Sequence, residues 1–460
     1  MITVQIGQCG NQIGRRFWVE LAHEAATQST AYDASMACNF RNVDSRSNGR
    51  LGIGSELATL RARAVLVDME EGVVAETRRD PVFGELFDAA HLVTDVSGAG
   101  NNWAHGYGAY GPLHGDAVAS ACREALEACE GPPQGVVVLS SVGGGTGSGL
   151  GSWIVERLAD DYPKLPKICV PVFPSADDDV VTSPYNAVLA TRHLAECASL
   201  VIPLDNDALA RRAIRAENGT RGFDELNDVA AQFLVHFTAG ARYGGPTLGD
   251  VVSRVAPFPS LNVVAPGLAP VLPRRSNRRS KEPKTDAASY DSGSRLIDDA
   301  CSWRSRLLTL TQRRGHFARA PFCEQKATLS LALLARGSFE TDLSKSRNKL
   351  RASLVPWNRD DGFLFATCAV PPLRAPRAVA CLANTSEIVV PLRTLRTRFE
   401  SLYRRRAMLH HYTHYIDTDH FDHAAHALDD LIDAYDRLAA SPHDMWPALV
   451  PPPRRDPSVG

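Results

Sequence analysis

No long stretch of this sequence is both uncharged and unbroken. The one long uncharged run, Val255 to Pro273, carries Pro257, Pro259, Pro266, Pro270 and Pro273, and that many helix breakers exclude a membrane-spanning helix. Excess charge is missing as well. Lys and Arg number 50 against 52 Asp and Glu, a net charge of -2, whereas a general nucleic-acid binder needs a clear basic excess. The 10 cysteines are scattered without a Cys-x-x-Cys pair, which suggests neither a zinc module nor a disulfide framework and suits a reducing cytoplasm. There is no apolar leader: Ile2, Val4 and Ile6 alternate with Thr3 and Gln5 from the start, so a strand is expected and no signal peptide. What remains is ordinary globular material, 44% apolar and 22% charged over 460 residues, enough for two or three domains.

The most informative stretch runs from Ser140 to Gly151, Ser-Ser-Val-Gly-Gly-Gly-Thr-Gly-Ser-Gly-Leu-Gly. Before it, Gly135 to Leu139 is a short valine-rich run that reads as a buried strand. After it, Leu150, Trp153, Ile154 and Leu158 recur at helical spacing. Glycines at a strand-to-helix junction leave backbone N–H groups free at the positive end of a helix dipole, where an anion is stabilised. Without Cβ atoms the backbone can come close to a phosphate. Ser141, Thr146 and Ser148 add hydroxyl donors. No Gly-Lys-Ser/Thr closes the loop and the spacing G-x-G-x-x-G fails, so it is neither a P-loop nor a dinucleotide fingerprint. A flexible linker explains the composition but not the setting.

This loop resembles the phosphate loop of the tubulins and their bacterial division-protein relatives. Gly7-Gln8-Cys9-Gly10-Asn11-Gln12-Ile13-Gly14 is similar to the tubulin amino terminus, and the likeness continues at matching intervals along nearly the whole chain. Within that family, residues 39–44, 62–72 and 178–186 look most like the epsilon type. The resemblance implies an α/β tubulin fold: a Rossmann-like parallel-sheet GTP-binding domain over 1–201, an intermediate α/β domain over 202–372, C-terminal helices over 373–440, and a short Pro/Arg tail over 441–460. Alternation of strand and helix up to about residue 200 independently argues for a parallel sheet covered on both faces.

Candidate ligand contacts follow from both readings. The strand Ala64 to Val67 ends at Asp68-Met69-Glu70-Glu71. Carboxylates past the carboxyl end of a parallel strand border the ligand crevice, and Mg²⁺ needs only one or two of them with water. Asp68 and Glu70 are the expected metal ligands, Glu70 being the position that matches the family. Ser97 to Trp103 is a glycine turn that resembles the loop closing over the terminal phosphate, which implicates Ala99, Gly100 and Asn101. From the amino-terminal and central loops the family implies Gln8, Cys9, Ser141, Gly144, Gly145, Thr146 and Gly147. Asp177-Asp178-Asp179 follows the strand Lys167 to Phe173. These acids suit a ribose or a solvated turn, and Asp178 and Asp179 are the expected ribose contacts. For guanine, the matching interval to the tubulin site implies Asn206 and Asn227, whose amides are able to meet donor and acceptor edges. Phe223 offers a stacking ring, four residues before Asn227 and so on one helix face. GTP or GDP with Mg²⁺ is the expected cofactor set.

Several features depart from the polymerising tubulins. The stretch Arg242 to Ser253 corresponds to the element that completes a neighbour's GTPase site in alpha-tubulin. Leu248 and Ser253 stand at its Asn and Glu positions and only Asp250 persists, so no general base is available there. The basic, serine-rich segment 274–293 reads as a surface loop, in the region the family uses for lateral contact. His410 and His414 have metal-ligand spacing but lack the Glu of H-E-x-x-H, and no zinc site is expected. The end, Pro451 to Arg455, has no glutamate-rich tail. The resemblance therefore implies an epsilon-type structural protein of the cytoplasm and microtubule cytoskeleton, at centrioles, basal bodies of cilia or a microtubule-organising centre. Its expected partners are other tubulins, through longitudinal or lateral contacts, and centriolar or basal-body proteins, with neither nucleic acid nor membrane. Delta-type, polymerising alpha/beta-type and nucleotide-dependent enzyme readings are the alternatives.

Overall fold

The computed structural model describes residues 1–47, 49–175, 180–216, 222–272, 293–302, 306–308, 327–339, 343–440 and 443. The chain opens with β1 (Ile2–Ile6), which passes directly into α1 (Gly7–Gln28), and continues through α2 (Ala34–Ala37), β2 (Phe40–Val43), β3 (Arg50–Leu51), β4 (Thr59–Ala62), β5 (Ala64–Asp68) and α3 (Glu71–Arg79). Then come β6 (Leu92–Thr94), α4 (Trp103–His105), α5 (Gly111–Glu127), β7 (Val136–Ser141), α6 (Gly151–Asp161), β8 (Lys167–Phe173) and α7 (Ser183–Cys197). Two-residue strands β9 (Leu200–Val201) and β10 (Leu204–Asp205) lead to α8 (Asn206–Ala216), α9 (Phe223–Phe237), α10 (Ala239–Arg242) and α11 (Leu248–Val255).

The first sheet has the order β10-β8-β7-β1-β5-β6, with β9 also on β8, and every pairing is parallel. All its strands therefore deliver their carboxyl ends to one edge. Helices cover both faces and make two cores. Ile2, Val4, Val65 and Val138 belong to one; Leu66, Val137, Leu139 and Val170 belong to the other. Thr3 and Gln5, the polar residues of β1, are buried along with the apolar ones. Their face lies under α1, where a Cβ on Gly14 would sit 2.1 Å from the Gln5 side chain. Residues 45–55, polar and without apolar periodicity, contain β3, paired antiparallel with β2 in a small sheet of order β3-β2-β4.

The second sheet is built from β11 (Ala265–Ala269), β12 (Thr328–Gly337), β13 (Phe363–Cys368) and β14 (Arg377–Thr385), in the order β11-β14-β12-β13, with α12 (Gly293–Cys301) and α13 (Ser344–Ala352) between them in sequence. Only β12 and β13 run parallel. The two sheets do not break at the expected bounds 201 and 372. β10 lies past the first bound and on the first sheet; β14 lies past the second and on the second sheet. The chain ends in α14 (Val389–Tyr403) and α15 (Asp419–Ala440), whose apolar stripes Leu392, Leu395, Phe399 and Phe421, Leu428, Ile432, Tyr435 are buried. Tyr435 fixes α15 to the entry of the second sheet: its hydroxyl donates to the Val263 carbonyl at 2.6 Å and accepts the Val263 N–H at 3.1 Å. The basic segment, apart from Gly293, and the Pro/Arg tail, apart from His443, lie outside the described residues.

Candidate functional site

Three glycine-bearing loops meet at the carboxyl ends of β1, β5 and β7. α1 starts at Gly7 with φ +71° and without a side-chain cap, so its first N–H groups are free. The central loop turns through one wide helical turn, Thr146–Leu150, before α6, again without a side-chain cap. The loops touch backbone to backbone. A Cβ on Gly7 would lie 3.0 Å from the Gly147 N, and one on Gly147 would lie 2.7 Å from the Ser141 carbonyl. A Cβ on Gly145 would meet the Ala99 carbonyl and the Asn102 N, both at 2.7 Å. The 97–102 loop bends through Gly98, Gly100 and Asn101, all with positive φ. This places Ala99, Gly100 and Asn101 opposite Gly144 and Gly145, with the Asn101 Oδ1 3.7 Å from a Cβ built on Gly144. Asn11 locks the start of α1 to β5, donating to the Gly7 carbonyl at 3.0 Å and the Val67 carbonyl at 3.1 Å. Around this cup Gln8 is exposed and Thr146 half-buried. Cys9 is half-buried, and desolvation pushes its thiol up to about 12, so it is a neutral neighbour. The Ser141 hydroxyl oxygen accepts the Gly143 N–H at 3.2 Å, which leaves its O–H as a donor.

The carboxylates form the next wall. Asp68, at the end of β5, is only 3% exposed. Desolvation pushes its pKa up to about 6, the charge of Glu70 adds to the rise, and backbone N–H donors oppose it. One of its oxygens accepts the Glu70 N–H at 3.3 Å. The other, Oδ2, is buried with no hydrogen-bond partner among the described residues. Glu70 is exposed and leans on the 97–102 loop, with Oε1 2.4 Å from where a Gly98 Cβ would be. A partnerless carboxylate oxygen beside a second carboxylate and a row of amides fits a hydrated divalent cation with an anion.

On the other side of α1 lie the amide candidates. Asn227 is buried in α9 and its Nδ2 donates to the Gln12 Oε1 at 3.4 Å, one helical turn beyond Gln8. Asn206, half-buried, opens α8 at the carboxyl end of β10. Phe223 and Asn227 do not share one environment as their spacing suggested. Phe223 is the first residue of α9 and 70% exposed, whereas Asn227 faces α1. Asp178 and Asp179 lie outside the described residues.

The sequence did not reveal Asn186. Completely buried in α7, it uses all four hydrogen-bonding positions of its amide. Nδ2 donates to the carbonyls of Asn101 and Gly143, each at 2.8 Å. Oδ1 accepts the Trp103 N–H at 2.9 Å and the Tyr412 hydroxyl at 2.6 Å. Nearby, the Asn102 Nδ2 donates to the His411 carbonyl at 2.8 Å. An amide inside the apolar run Tyr185-Asn186-Ala187-Val188-Leu189 was the only sequence signal for it.

In α11 the substituted positions are accounted for. Leu248 is 1% exposed and belongs to the core. Asp250 closes the helix start, its Oδ2 accepting from the Thr247 N–H at 2.8 Å and hydroxyl at 2.7 Å. Ser253 is exposed and donates to the Asp250 carbonyl at 3.0 Å. Among the described residues there is no group of three or more His, Cys, Asp or Glu able to hold a metal, and no helix long and apolar enough to cross a membrane.

Residues 1–213 match the family model described as the GTPase domain of the Tubulin/FtsZ family. Over a 488-residue alignment spanning 96% of both chains, the sequence is 33% identical to the tubulin epsilon chain of Homo sapiens. It is also 33% identical to the tubulin epsilon chain of Mus musculus with the same coverage. The tubulin beta-2 chain of Suillus bovinus is 29% identical over 447 residues, 95% of each chain.

Proposed function

The chain belongs to the tubulin family and is epsilon-type within it, and from that premise we propose that it is a GTP-binding structural subunit that organises microtubules at centrioles or basal bodies. The observation that carries the nucleotide half is the meeting of three glycine loops and the Asp68–Glu70 pair at one edge of a parallel sheet, with two uncapped helix starts aimed into it. In this reading Gln8, Cys9, Ala99, Gly100, Asn101, Ser141, Gly144, Gly145, Thr146 and Gly147 surround the phosphates, with Asp178 and Asp179 at the ribose. Asn206 and Asn227 take the guanine edge, where the exposed Phe223 ring can stack. Asp68 and Glu70 hold Mg²⁺ through water, and the ion when bound neutralises phosphate charge. Partners are other tubulins and centriolar or basal-body proteins, and the place of action is the cytoplasmic cytoskeleton. These last assignments draw on likeness to the epsilon chains.

The α11 surface supports a further part of the reading. With Leu248 buried and Asp250 engaged by Thr247, this subunit seats on a neighbour without supplying a general base to that neighbour's nucleotide.

Purified full-length chain should carry guanine nucleotide. Thr146→Trp, which puts a large ring where Gly7 and Gly147 already touch, should abolish binding while the far-ultraviolet circular dichroism stays unchanged. A folded wild-type chain free of nucleotide, or one preferring ATP, rejects the assignment.

A further inference from the structure

We infer that Asn186 is a positioning residue that holds the 97–102 loop at the distance a third phosphate requires, and that Tyr412 makes the C-terminal segment part of that setting. The inference rests on the GTP-binding reading above and goes beyond it by assigning triphosphate preference to two residues that lie behind the cup rather than in it.

The argument begins with which loop sits where. Gly98 donates its N–H to the Met69 carbonyl at 2.7 Å and lies against the Glu70 carboxylate. A divalent cation held at these carboxylates would neutralise the outer phosphate charge, which would make the 97–102 loop the wall next to the outermost phosphate. The central loop, at the start of the α6 helical run, holds the inner ones. The gap between the walls decides whether a third phosphate is gripped. One side chain spans that gap from behind: the Asn186 amide donates to the Asn101 carbonyl on one wall and to the Gly143 carbonyl on the other, both at 2.8 Å.

Within the outer loop the Asn102 N–H donates to the Ala99 carbonyl at 3.0 Å and the Asn102 Oδ1 caps the start of α4. Its turn places Asn101 at φ +52°, a left-handed conformation that asparagine tolerates better than other residues with a Cβ and that contacts from outside the loop secure. Asn186 supplies such a contact at the Asn101 carbonyl. It supplies a second at the Trp103 N–H, bound to Oδ1 at 2.9 Å, where α4 leaves the loop. The orientation of the amide is in turn fixed by the Tyr412 hydroxyl, which donates to the same Oδ1 at 2.6 Å. Tyr412 is itself 1% exposed. The adjacent Asn102–His411 bond ties the same loop to the same segment. His411 thus braces the outer wall directly and Tyr412 through Asn186.

Three variants of the full-length chain separate the contributions. Asn186→Ala removes all four bonds. Asn186→Asp keeps the acceptors for Trp103 and Tyr412 but turns a carboxylate oxygen toward the Asn101 and Gly143 carbonyls. Tyr412→Phe keeps the ring packing and loses only the hydroxyl. Affinities for GTP and GDP are measured by calorimetry with Mg²⁺. Amide exchange of the Trp103 N–H is followed by mass spectrometry in nucleotide-free protein. For both Asn186 variants GTP should weaken by about 30-fold or more, with GDP changing less than about threefold; Tyr412→Phe should weaken GTP by about three- to tenfold. Trp103 should lose protection in Asn186→Ala but not in Asn186→Asp. Equal loss of both nucleotides, or no change in the GTP-to-GDP ratio, overturns the inference while leaving the binding assignment intact. Failure of the wild type to bind either nucleotide rejects the assignment itself. In that case unchanged Trp103 protection in Asn186→Ala overturns the positioning role independently.

Discussion

Glu24 should prove the most stability-critical charge among the described residues. It lies near the far end of α1 and is 1% exposed. Its Oε1 accepts from the Arg242 Nη2 at 3.0 Å and the Tyr243 hydroxyl at 2.8 Å, and its Oε2 from the Arg336 Nη1 at 2.9 Å. Arg242 closes the end of α10 and Arg336 comes from β12, so one carboxylate joins the α1–α9 layer to the second sheet. Burial alone would raise the Glu24 pKa, but the charges of Arg242 and Arg336, with hydrogen bonds from Arg336 and Tyr243, outweigh it and hold the carboxyl below its usual range. Glu24→Gln leaves two buried guanidiniums with no anion, a loss of about 3–5 kcal/mol. Arg336→Met removes one cation and leaves Glu24 with two donors, so it should cost less, about 1–3 kcal/mol. At about 2.1 cal/mol/K of unfolding entropy per residue, a chain of 460 residues loses about 1 °C of Tm per kcal/mol. Glu24→Gln should therefore fall by about 3–5 °C in scanning calorimetry. The pH dependence has a definite sign. Because the folded-state pKa is depressed, this stabilisation is present above the unfolded glutamate value of about 4.3 and is lost as pH falls through the folded value. The difference between wild type and Glu24→Gln should shrink steadily below about pH 4.5. Arg336→Met costing as much as Glu24→Gln, or a constant difference down to pH 3, would refute the reasoning.

Two further outcomes bear on the site. Asp68→Asn keeps the shape but removes a buried charge that desolvation disfavours. The metal-free chain should keep or gain stability at pH 7.5, while the extra Tm that Mg²⁺ gives in the presence of nucleotide disappears. Ser253→Glu should confer on this subunit the ability to speed GTP turnover in a tubulin on which it stacks, by about 10²-fold if it serves as a general base, read as phosphate release. If wild type already drives that turnover and the variant adds nothing, the matching of α11 to its family counterpart is wrong.

What the sequence disclosed was local. The valine run of β7, the glycines behind it and the helical spacing of Leu150, Ile154 and Leu158 lie within some 25 residues, and the structure arranges them as strand, loop and helix. The carboxylates after β5 were legible for the same reason, because strand end and acid are adjacent. Environment was harder to read. Alternation in β1 reports chemistry, not what packs above it, and here α1 packs above the face of Thr3 and Gln5. Phe223 and Asn227 are four apart, yet the first residue of a helix projects beyond the layer that buries the second turn. Asn186 and Tyr412 were out of reach. They are 226 residues apart, and each alone looks like an ordinary core polar group until the fold brings them together.

That separation has a consequence for how the chain comes off the ribosome. The strands and glycine loops of the cup are complete once residue 151 has emerged, and the helix bearing Asn186 follows soon after. The hydroxyl that orients its amide emerges only 226 residues later. At 5–20 residues per second that is a wait of about 10–50 s. Throughout it the amide lacks its Tyr412 donor and the Asn102 side chain lacks the His411 carbonyl. A nascent chain stalled before residue 412 therefore presents a sheet with an unbraced outer wall, and the full preference for a third phosphate arrives only after the nucleotide cup itself is complete.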